Sequence, residues 1–219
     1  MIAENDPVRY WVFDRWCSPI NLEDVPARGD PVWEASYDND TERKKRTTRT
    51  LGAIPGVADL FARLRSTAGI AEWCHRLGYP VEDDPTLHGG GIHVTAPGGW
   101  LSTHLDYSRH PKLPTKRRSL NFIAFLNPEW QATWGGALNL CDPLGNVVAR
   151  VEPKPGRLVA FEVGDLSYHG VETTSADSVE RVTLAVYLLS AATDRDTRQR
   201  ALFLPNRVVP HQTIFERRG

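Results

Sequence analysis

Two potential metal ligands, His104 and Asp106, lie two residues apart in the segment LSTHLDYS. Side chains at positions i and i+2 of a strand leave the same face, with Cα atoms roughly 6.6 Å apart, so this pair could converge on one ion. A third candidate, His169, lies at the start of a later β-like run, LSYHGVE. Two imidazoles and one carboxylate suit Fe(II) and leave positions open for a chelating ligand and dioxygen. We therefore predict a metal centre here; the alternative is that the three side chains merely hydrogen-bond one another in a polar core.

A candidate anion-binding residue, Arg181, opens the run RVTLAVYLL. One face of this run is uniformly apolar, and the other carries Arg181 and Thr183. A guanidinium is permanently charged and shaped as a fork, which suits the distal carboxylate of a dicarboxylic acid. We predict that Arg181 points into a pocket; the alternative is a surface ion pair with Glu180 or Glu172.

The elements that must position these residues are short β-type runs separated by Gly, Pro, Asn and Asp, which are typical of an antiparallel sandwich or barrel. Eight strands, a number that suits a jelly roll, are predicted at residues 91–95, 101–106, 119–126, 136–141, 147–151, 157–162, 167–173 and 181–190. The uniformly apolar faces would pack on helices, while the mixed faces would line a wet ligand pocket.

The N-terminal part of the chain is expected to support this sheet. Residues 10–13 resemble a strand, and residues 16–37 read as loop with short helical pieces. The basic run at 41–50, TERKKRTTRT, is interpreted as a solvated face. Apolar residues recur at helical spacing over 57–77, which predicts one or two helices with a break at Gly69.

Composition favours one globular domain. The 219 residues are 41% hydrophobic and 24% charged, as in ordinary globular proteins. We expect a single domain over 1–219, with an N-terminal strand and helices in 1–88, a core at 89–192 and a tail at 193–219.

The net charge of -1 supplies no overall field for nucleic acid or anionic membranes. The three cysteines form no CxxC pair, and no signal peptide or membrane-spanning run is evident, so we expect a cytoplasmic protein without a membrane partner.

Several motifs occur together and in order between Gly91 and Ser190: APGGWLSTHLD, RRSLNFIAFLNPEW, WGGALNL, VEPKPGRLVAFE, YHGVE and ERVTLAVYLL. Together they resemble the prolyl-4-hydroxylase-like branch of the 2-oxoglutarate and Fe(II)-dependent oxygenase superfamily. The resemblance implies a mainly β fold with flanking helices, a cupin-like double-stranded β-helix. It also implies Fe(II), 2-oxoglutarate and O2 as cofactors, with ascorbate as a further candidate. The implied reaction hydroxylates a C–H bond and releases succinate and CO2; the presence of Asp106 favours hydroxylation over halogenation.

The sequence departs from that family at one co-substrate contact. Many members place a tyrosine before the LN pair, where this chain has Phe125. Another polar group must replace the missing hydroxyl. The candidates on predicted pocket faces are Asn121, Thr183, Thr95 and His93.

The predicted partner is a small-molecule substrate or a side chain of a peptide. Alkylated-nucleobase demethylases of this superfamily typically carry a second arginine six residues after the first, and Tyr187 holds that position here, so no nucleic-acid partner is expected. A predicted loop at 107–118 lies near the pocket mouth and is interpreted as solvated surface. An anionic substrate is the further hypothesis, because the loop holds five basic residues: Arg109, Lys112, Lys116, Arg117 and Arg118. The alternatives are an idle jelly-roll metal binder or sensor, and a cupin-like metal-dependent isomerase or hydrolase.

Overall fold

A computed structural model of the chain describes residues 8–204. Within this range the chain forms one curled antiparallel sheet with two α-helices against its outer face. The strands are β1 (Tyr10–Phe13), β2 (Ala35–Tyr37), β3 (Glu42–Thr48), β4 (Glu82–Asp83), β5 (Gly91–Leu105), β6 (Lys116–Phe125), β7 (Leu138–Cys141), β8 (Val147–Val151), β9 (Leu158–Glu162), β10 (Tyr168–Val171), β11 (Arg181–Ala191) and β12 (Leu202–Phe203); the helices are α1 (Val57–Arg65) and α2 (Thr67–Leu77). No helix in the described range is long and apolar enough to cross a membrane.

The strand order brings distant parts of the sequence side by side. The main path through the sheet is β1-β9-β6-β11-β5-β10-β7-β8. The first part of β5 pairs with β11 and the last part pairs with β10, so this long strand joins the two halves of the curled sheet. The predicted mainly β fold with flanking helices is therefore confirmed.

The break predicted between strands 91–95 and 101–106 was wrong, because β5 is continuous. The backbone at its Pro-Gly-Gly run is held by hydrogen bonds: Gly98 N donates to Thr174 O at 3.1 Å, and Thr174 N donates to Gly99 O at 2.9 Å. On the other side, β3 pairs with β5 both before and after the run, with a shift of register. The other six predicted strands coincide with observed strands, with small differences at their ends.

Two helices form where the sequence predicts them, but Gly69 does not separate them. The break is at Ser66, whose side chain accepts a hydrogen bond from Gly69 N at 3.1 Å and so caps α2. Gly69 lies inside α2, where a Cβ would sit 3.0 Å from the Arg63 carbonyl oxygen. The residue that resembled a helix breaker instead allows the two helices to pack closely.

The main hydrophobic core lies between the helices and the apolar faces of β6 and β11. Trp73 of α2 makes an edge contact with Phe122 of β6 at 5.0 Å between ring centroids. Leu120, Ala124 and the even-numbered residues of β11 from Val182 to Leu188 belong to the same buried cluster. The uniformly apolar faces therefore pack on the helices as predicted, and the mixed faces of both strands point inward.

The basic run at 41–50 is part of the sheet and not merely a solvated face. β3 pairs with β2 on one side and with β5 on the other. Its alternation sends Lys45 toward the interior cavity, while Arg46 is buried and forms a bidentate pair with Glu180 at 2.7 Å. Charged residues on this strand are satisfied by partners that lie far away in sequence, which the local pattern could not indicate.

The described part of the predicted C-terminal tail also joins the sheet. β12 pairs with the end of β5, with Phe203 opposite His104. Residues 205–219, which include the rest of the segment ALFLPNRVVP, lie outside the described residues.

Candidate metal centre and pocket

The three predicted ligands converge inside the curled sheet. His104 is the last residue but one of β5, Asp106 directly follows the strand, and His169 on β10 lies directly opposite His104. Nε2 of His104 is 3.9 Å from Asp106 Oδ1, and Nε2 of His169 is 3.9 Å from Asp106 Oδ2. One potential ligand atom from each residue lies within 4.8 Å of the others, a spacing at which one ion could contact all three.

A local irregularity between β5 and β10 makes this convergence possible. The register shifts just after Leu101, so that His104 faces the same side of the sheet as Leu101 despite the odd spacing. Gly170 lies against this bulge, and a Cβ there would sit 2.9 Å from the Leu101 carbonyl oxygen and 3.0 Å from Thr103 N. The glycine that follows His169 is therefore needed for close approach of the two strands.

Hydrogen bonds orient both imidazoles toward the centre. The Nδ1 atoms of His104 and His169 lie 2.9 Å from the carbonyl oxygens of Ser102 and Ser167, respectively. A carbonyl can only accept, so each Nδ1 donates and each Nε2 keeps a free lone pair. Burial, together with the charge of His169, lowers the pKa of His104 to about 3, and burial also lowers the pKa of His169. Both rings are therefore in the neutral form that binds metals.

Asp106 is held by a residue that the sequence analysis placed in a loop. Arg118 Nη1 donates to Asp106 Oδ1 at 2.7 Å, and Asn121 Nδ2 lies 3.5 Å from Oδ2. Burial alone would raise the pKa of Asp106, but the Arg118 charge and the nearby imidazoles hold it below its ordinary value. Assigning Arg118 to an exposed loop at 107–118 was wrong, because β6 begins at Lys116 and Arg118 is 2% exposed.

The donor set fits a divalent transition metal with open coordination positions. Two neutral imidazole nitrogens and one carboxylate oxygen form the facial set typical of non-haem Fe(II) sites. The same donors line a cavity of about 650 Å³, so a ligand could reach the ion from the remaining side.

Arg181 lies in the same cavity, and one of its nitrogen donors has no hydrogen-bond partner among the described residues. Its Nε donates to the Gly136 carbonyl at 2.8 Å, whereas its buried Nη2 has no hydrogen-bond partner within residues 8–204. The side chain is 3% exposed, and burial lowers its pKa to about 10, so the guanidinium is still charged at neutral pH. The guanidinium also lies 5.0 Å from the Phe125 ring centroid. An unpaired buried donor on a cation is costly and indicates an anionic partner.

The alternative surface pairing of Arg181 is wrong. Glu180 binds Arg46, and the fully buried Glu172 binds Arg150 Nε at 2.6 Å. Both carboxylates that the sequence offered as partners are thus engaged elsewhere.

Gly136 explains the Gly-Gly pair that precedes β7. Its φ of 68° lies in the left-handed region that favours glycine. A Cβ at this position would sit 3.0 Å from Thr174 Cγ2 and 3.2 Å from Arg181 Cδ. The missing side chain leaves room for Arg181, and the carbonyl of Gly136 anchors it.

The other predicted co-substrate residues also face the cavity. Thr95 lies opposite Arg181 in the sheet, and Thr183 lies opposite both His93 and Phe125. Thr183 Oγ1 donates to the His93 carbonyl at 3.4 Å, and burial lowers the pKa of His93 well below its ordinary value. The cavity is lined by all eight predicted site residues: His93, Thr95, His104, Asp106, Asn121, His169, Arg181 and Thr183.

Three parts of the cavity wall were missed by the sequence analysis. They are Arg118 with its aromatic neighbours, the charged strand β3, and the segment around Phe203, whose ring stacks on His104 at 5.0 Å. None has a local sequence signal, although the RRSLN segment of the family motif contains Arg118. The predicted mouth residue Arg109 is not available to a ligand, because its guanidinium donates to the carbonyls of Asp196, Pro114 and Thr193.

Comparison with known proteins identifies a family that this region resembles. Residues 90–189, which contain the whole triad and Arg181, match the family described as the 2OG-Fe(II) oxygenase superfamily. The matched segment covers 100 of the 219 residues. The match supports an enzyme of the class that uses Fe(II), 2-oxoglutarate and O2, as predicted, and the His104–Asp106–His169 cluster is a possible iron site. No curated protein matches its sequence.

Two solved structures confirm the fold of this chain as a double-stranded β-helix. A prolyl hydroxylase from Trichoplax adhaerens, in complex with a hypoxia inducible factor peptide fragment, aligns with a TM-score of 0.60 and 16% identity, covering 82% of each chain. A prolyl-4-hydroxylase from Pseudomonas putida aligns with a TM-score of 0.52 and 21% identity, covering 76% of this chain and 78% of the other. The chain is therefore similar in fold to these two prolyl hydroxylases.

Proposed function

We propose that the protein is a hydroxylase that binds Fe(II) through His104, Asp106 and His169 and binds 2-oxoglutarate through Arg181. The observation that carries the proposal is the presence of two complementary unsatisfied groups in one cavity. The triad offers three donors with open positions beside them, and Arg181 offers a buried cation that has no anionic partner within residues 8–204. A dicarboxylic acid with a 2-oxo group can satisfy both at once.

Each residue then has a defined task toward the co-substrate. Arg181 would bind the distal carboxylate. The hydroxyls of Thr95 and Thr183 are candidates to replace the tyrosine hydroxyl that is missing at Phe125. Asn121, whose buried Oδ1 has no partner among the described residues, and His93 are additional candidates for polar contacts. When bound, iron would couple O2 to oxidative decarboxylation of 2-oxoglutarate, which releases succinate and CO2 and drives hydroxylation of a C–H bond.

The proposed substrate is a small molecule or a side chain of a peptide. A peptide fragment is bound to the similar Trichoplax adhaerens enzyme, which supports the second option. The cavity volume of about 650 Å³ falls in the range of small-ligand pockets and leaves space beside the co-substrate. A nucleic acid is not proposed, because Tyr187 occupies the position of the second arginine and the net charge is -1. A single domain in the cytoplasm stays a prediction, as does a role for ascorbate.

An idle metal binder or sensor is the second candidate from another class. It would need the triad but would have no use for Arg181, whose burial without a counter-ion in the described part of the chain opposes folding. A metal-dependent isomerase or hydrolase would likewise leave this cation unexplained. The orphaned guanidinium therefore favours the oxygenase that consumes a dicarboxylic acid.

Uncoupled turnover tests the proposal without a known substrate. Purified protein is loaded anaerobically with Fe(II), exposed to O2 and 2-oxoglutarate, and assayed for succinate. We expect succinate from the wild-type protein, none from His169→Ala, and unchanged formation from His75→Ala, which alters an exposed histidine on α2. If wild-type protein takes up no Fe(II), or takes it up and forms no succinate, the proposed function is wrong.

A further inference from the structure

A second buried arginine, Arg118, lies at the opposite end of the cavity from Arg181. Arg181 is the first residue of β11, and Arg118 lies across from Leu189 near the end of the same strand. Unlike Arg181, Arg118 is bound on several sides. Its Nη2 donates to the His88 carbonyl at 2.7 Å and to Tyr107 Oη at 2.6 Å, while Nη1 donates to Asp106.

Aromatic rings hold the guanidinium of Arg118 in place. Its central carbon lies 3.9 Å from the ring centroid of Tyr107 and 3.3 Å from that of Tyr187. A planar guanidinium packs well against aromatic faces, whereas an ammonium group cannot stack in this way. Tyr187 occupies the position of the second arginine of the demethylases, and its ring packs against Arg118, which comes from β6.

A bulge in β6 turns Arg118 into the cavity. Leu188 pairs with Leu120, but the next residue, Leu189, pairs with Arg118, so Ser119 is an extra residue in β6. Without it, the even-numbered Arg118 would lie on the apolar face together with Leu120. The bulge therefore places a buried cation next to the metal site.

We propose that Arg118 is the positioning residue of the metal centre, a role that rests on the proposed function. Arg118 Nη1 donates to Oδ1 of Asp106 at 2.7 Å, whereas Oδ2 has only the longer contact of 3.5 Å with Asn121 Nδ2. Each oxygen lies 3.9 Å from one imidazole nitrogen, Oδ1 from Nε2 of His104 and Oδ2 from Nε2 of His169. The strong hydrogen bond to Oδ1 therefore favours Oδ2 as the oxygen donated to an ion and disfavours coordination through both oxygens. Because Tyr107 and the His88 carbonyl hold the guanidinium itself, its contact with Asp106 also restrains rotation of the carboxylate.

Removing Arg118 should disturb the metal site more than the fold around it. Partners that bind metal-ligating carboxylates typically contribute about 10- to 100-fold to metal affinity, and we expect a loss of this size in Arg118→Met. The probe is Co(II), titrated anaerobically into metal-free protein and followed by its visible ligand-field spectrum. We also expect the spectrum of the Arg118→Met complex to differ from that of the wild type, because Asp106 can then coordinate through both oxygens.

Two further variants separate positioning from general structural damage. Arg117→Met removes the same charge one residue away, where Arg117 binds the Val163 carbonyl and makes no contact with Asp106; its Co(II) affinity and spectrum should match the wild type. Arg118→Lys keeps the charge without the fork, so it should fold even if Arg118→Met does not and should show an intermediate loss of affinity. Thermal unfolding of the metal-free proteins reports folding independently.

The outcomes distinguish this inference from the proposed function. If wild-type protein binds no Co(II), the proposed metal site itself is wrong. If wild-type protein binds Co(II) and folded Arg118→Met or Arg118→Lys binds it equally well or more tightly with an unchanged spectrum, the positioning role alone is overturned. Loss of affinity in Arg117→Met of the same size would also overturn it, since the effect would then follow net charge and not the contact with Asp106.

Discussion

Two buried arginines in one cavity differ in charge pairing at the residue scale. Arg118 is bound by a carboxylate, a hydroxyl and a carbonyl, although its Nε has no partner within residues 8–204. Within the same residues Arg181 donates to one carbonyl, its Nη2 has no partner, and it has no carboxylate partner. A buried charge without a counter-ion lowers stability, and such cost is typical of binding sites. We therefore expect the paired Arg118 to hold the site in shape and the unpaired Arg181 to bind its anionic ligand.

Arg181→Met tests this distinction through opposite effects on binding and on stability. Loss of one partner of a buried charge pair costs ~2 kcal/mol or more, so the Kd of 2-oxoglutarate should rise roughly 30-fold or more. The ligand-free variant should unfold at an equal or higher temperature than the wild type, because an uncompensated cation is removed. Calorimetric titration of Mn(II)-loaded protein and thermal unfolding of metal-free protein measure the two effects.

Arg76→Met is the matched control, since Arg76 lies on α2 in an exposed pair with Glu72. It should leave the Kd of 2-oxoglutarate unchanged. Unchanged co-substrate binding in Arg181→Met would contradict the assignment of Arg181.

At the scale of elements, bulges decide which side chains reach the cavity. A regular strand alternates faces, so a single extra residue transfers all later side chains to the other face. The bulge at Ser119 brings Arg118 inward, and the irregularity after Leu101 brings His104 inward. The site is thus built at two of the places where the sheet departs from regular pairing.

Gly170→Ala should damage the metal centre through the backbone. The added Cβ would lie 2.9 Å from the Leu101 carbonyl oxygen. Because this oxygen belongs to the backbone and not to a flexible side chain, it cannot move away easily. We expect a loss of ~1–3 kcal/mol in the free energy of unfolding, as for overpacking, together with weaker Co(II) binding because His169 moves away from His104. Denaturant unfolding and metal titration provide the measurements. Gly164→Ala, with open space around its Cβ position, should change neither quantity; equal effects of both substitutions would show that the close approach is unimportant.

The C-terminal strand is a second element with a predicted effect on the metal. Phe203 of β12 stacks on His104 with an angle of 28° between the rings. Replacement by alanine opens this side of the imidazole to water. We therefore expect bound Co(II) to dissociate into excess chelator several-fold faster, and at most ~10-fold faster, as for other residues that contact metal ligands. Leu202→Ala, which alters the half-exposed neighbour in the same strand, serves as the control. A dissociation rate equal to that of the wild type would show that Phe203 does not shield the site.

At the scale of the whole molecule, charge is distributed unevenly despite a net value of -1. Lys45 and Arg49 at the cavity wall are paired with Glu42 and Glu34, respectively. Lys112 and Arg200 also line the cavity, and within residues 8–204 neither has a salt-bridge partner. The mouth therefore carries a local positive excess that could attract anions such as 2-oxoglutarate.

The double variant Lys112→Gln/Arg200→Gln should slow the association of 2-oxoglutarate. Electrostatic steering commonly changes association rates by roughly tenfold at low salt and fades when salt screens the charges, so we expect a several-fold decrease, up to about tenfold, that disappears at high ionic strength. Stopped-flow mixing with metal-loaded protein measures the rate. The control Arg28→Gln/Lys154→Gln removes the same charge from exposed positions outside the cavity. An equal decrease in both double variants would point to net charge and exclude local steering.

The sequence alone predicted the three candidate metal ligands, the inward-facing Arg181 and the division of β6 and β11 into an apolar and a mixed face. These features follow from the two-residue period of strands and from the chemical types of the side chains, which are local properties. The double-stranded β-helix was expected before any coordinates were considered because the ordered motifs between Gly91 and Ser190 resemble those of the 2-oxoglutarate and Fe(II)-dependent oxygenases.

Tertiary structure alone decided which side chains complete the cavity. Arg118 enters through a bulge that strand alternation cannot foresee, β3 becomes a wall because β5 pairs with it, and Phe203 covers His104 through a short strand distant in sequence. The free Nη2 of Arg181 likewise emerges only when Glu180 and Glu172 are seen bound to other arginines. Each of these is a pairwise contact between remote segments, and a pattern along the chain carries no information on which remote partner a side chain will find.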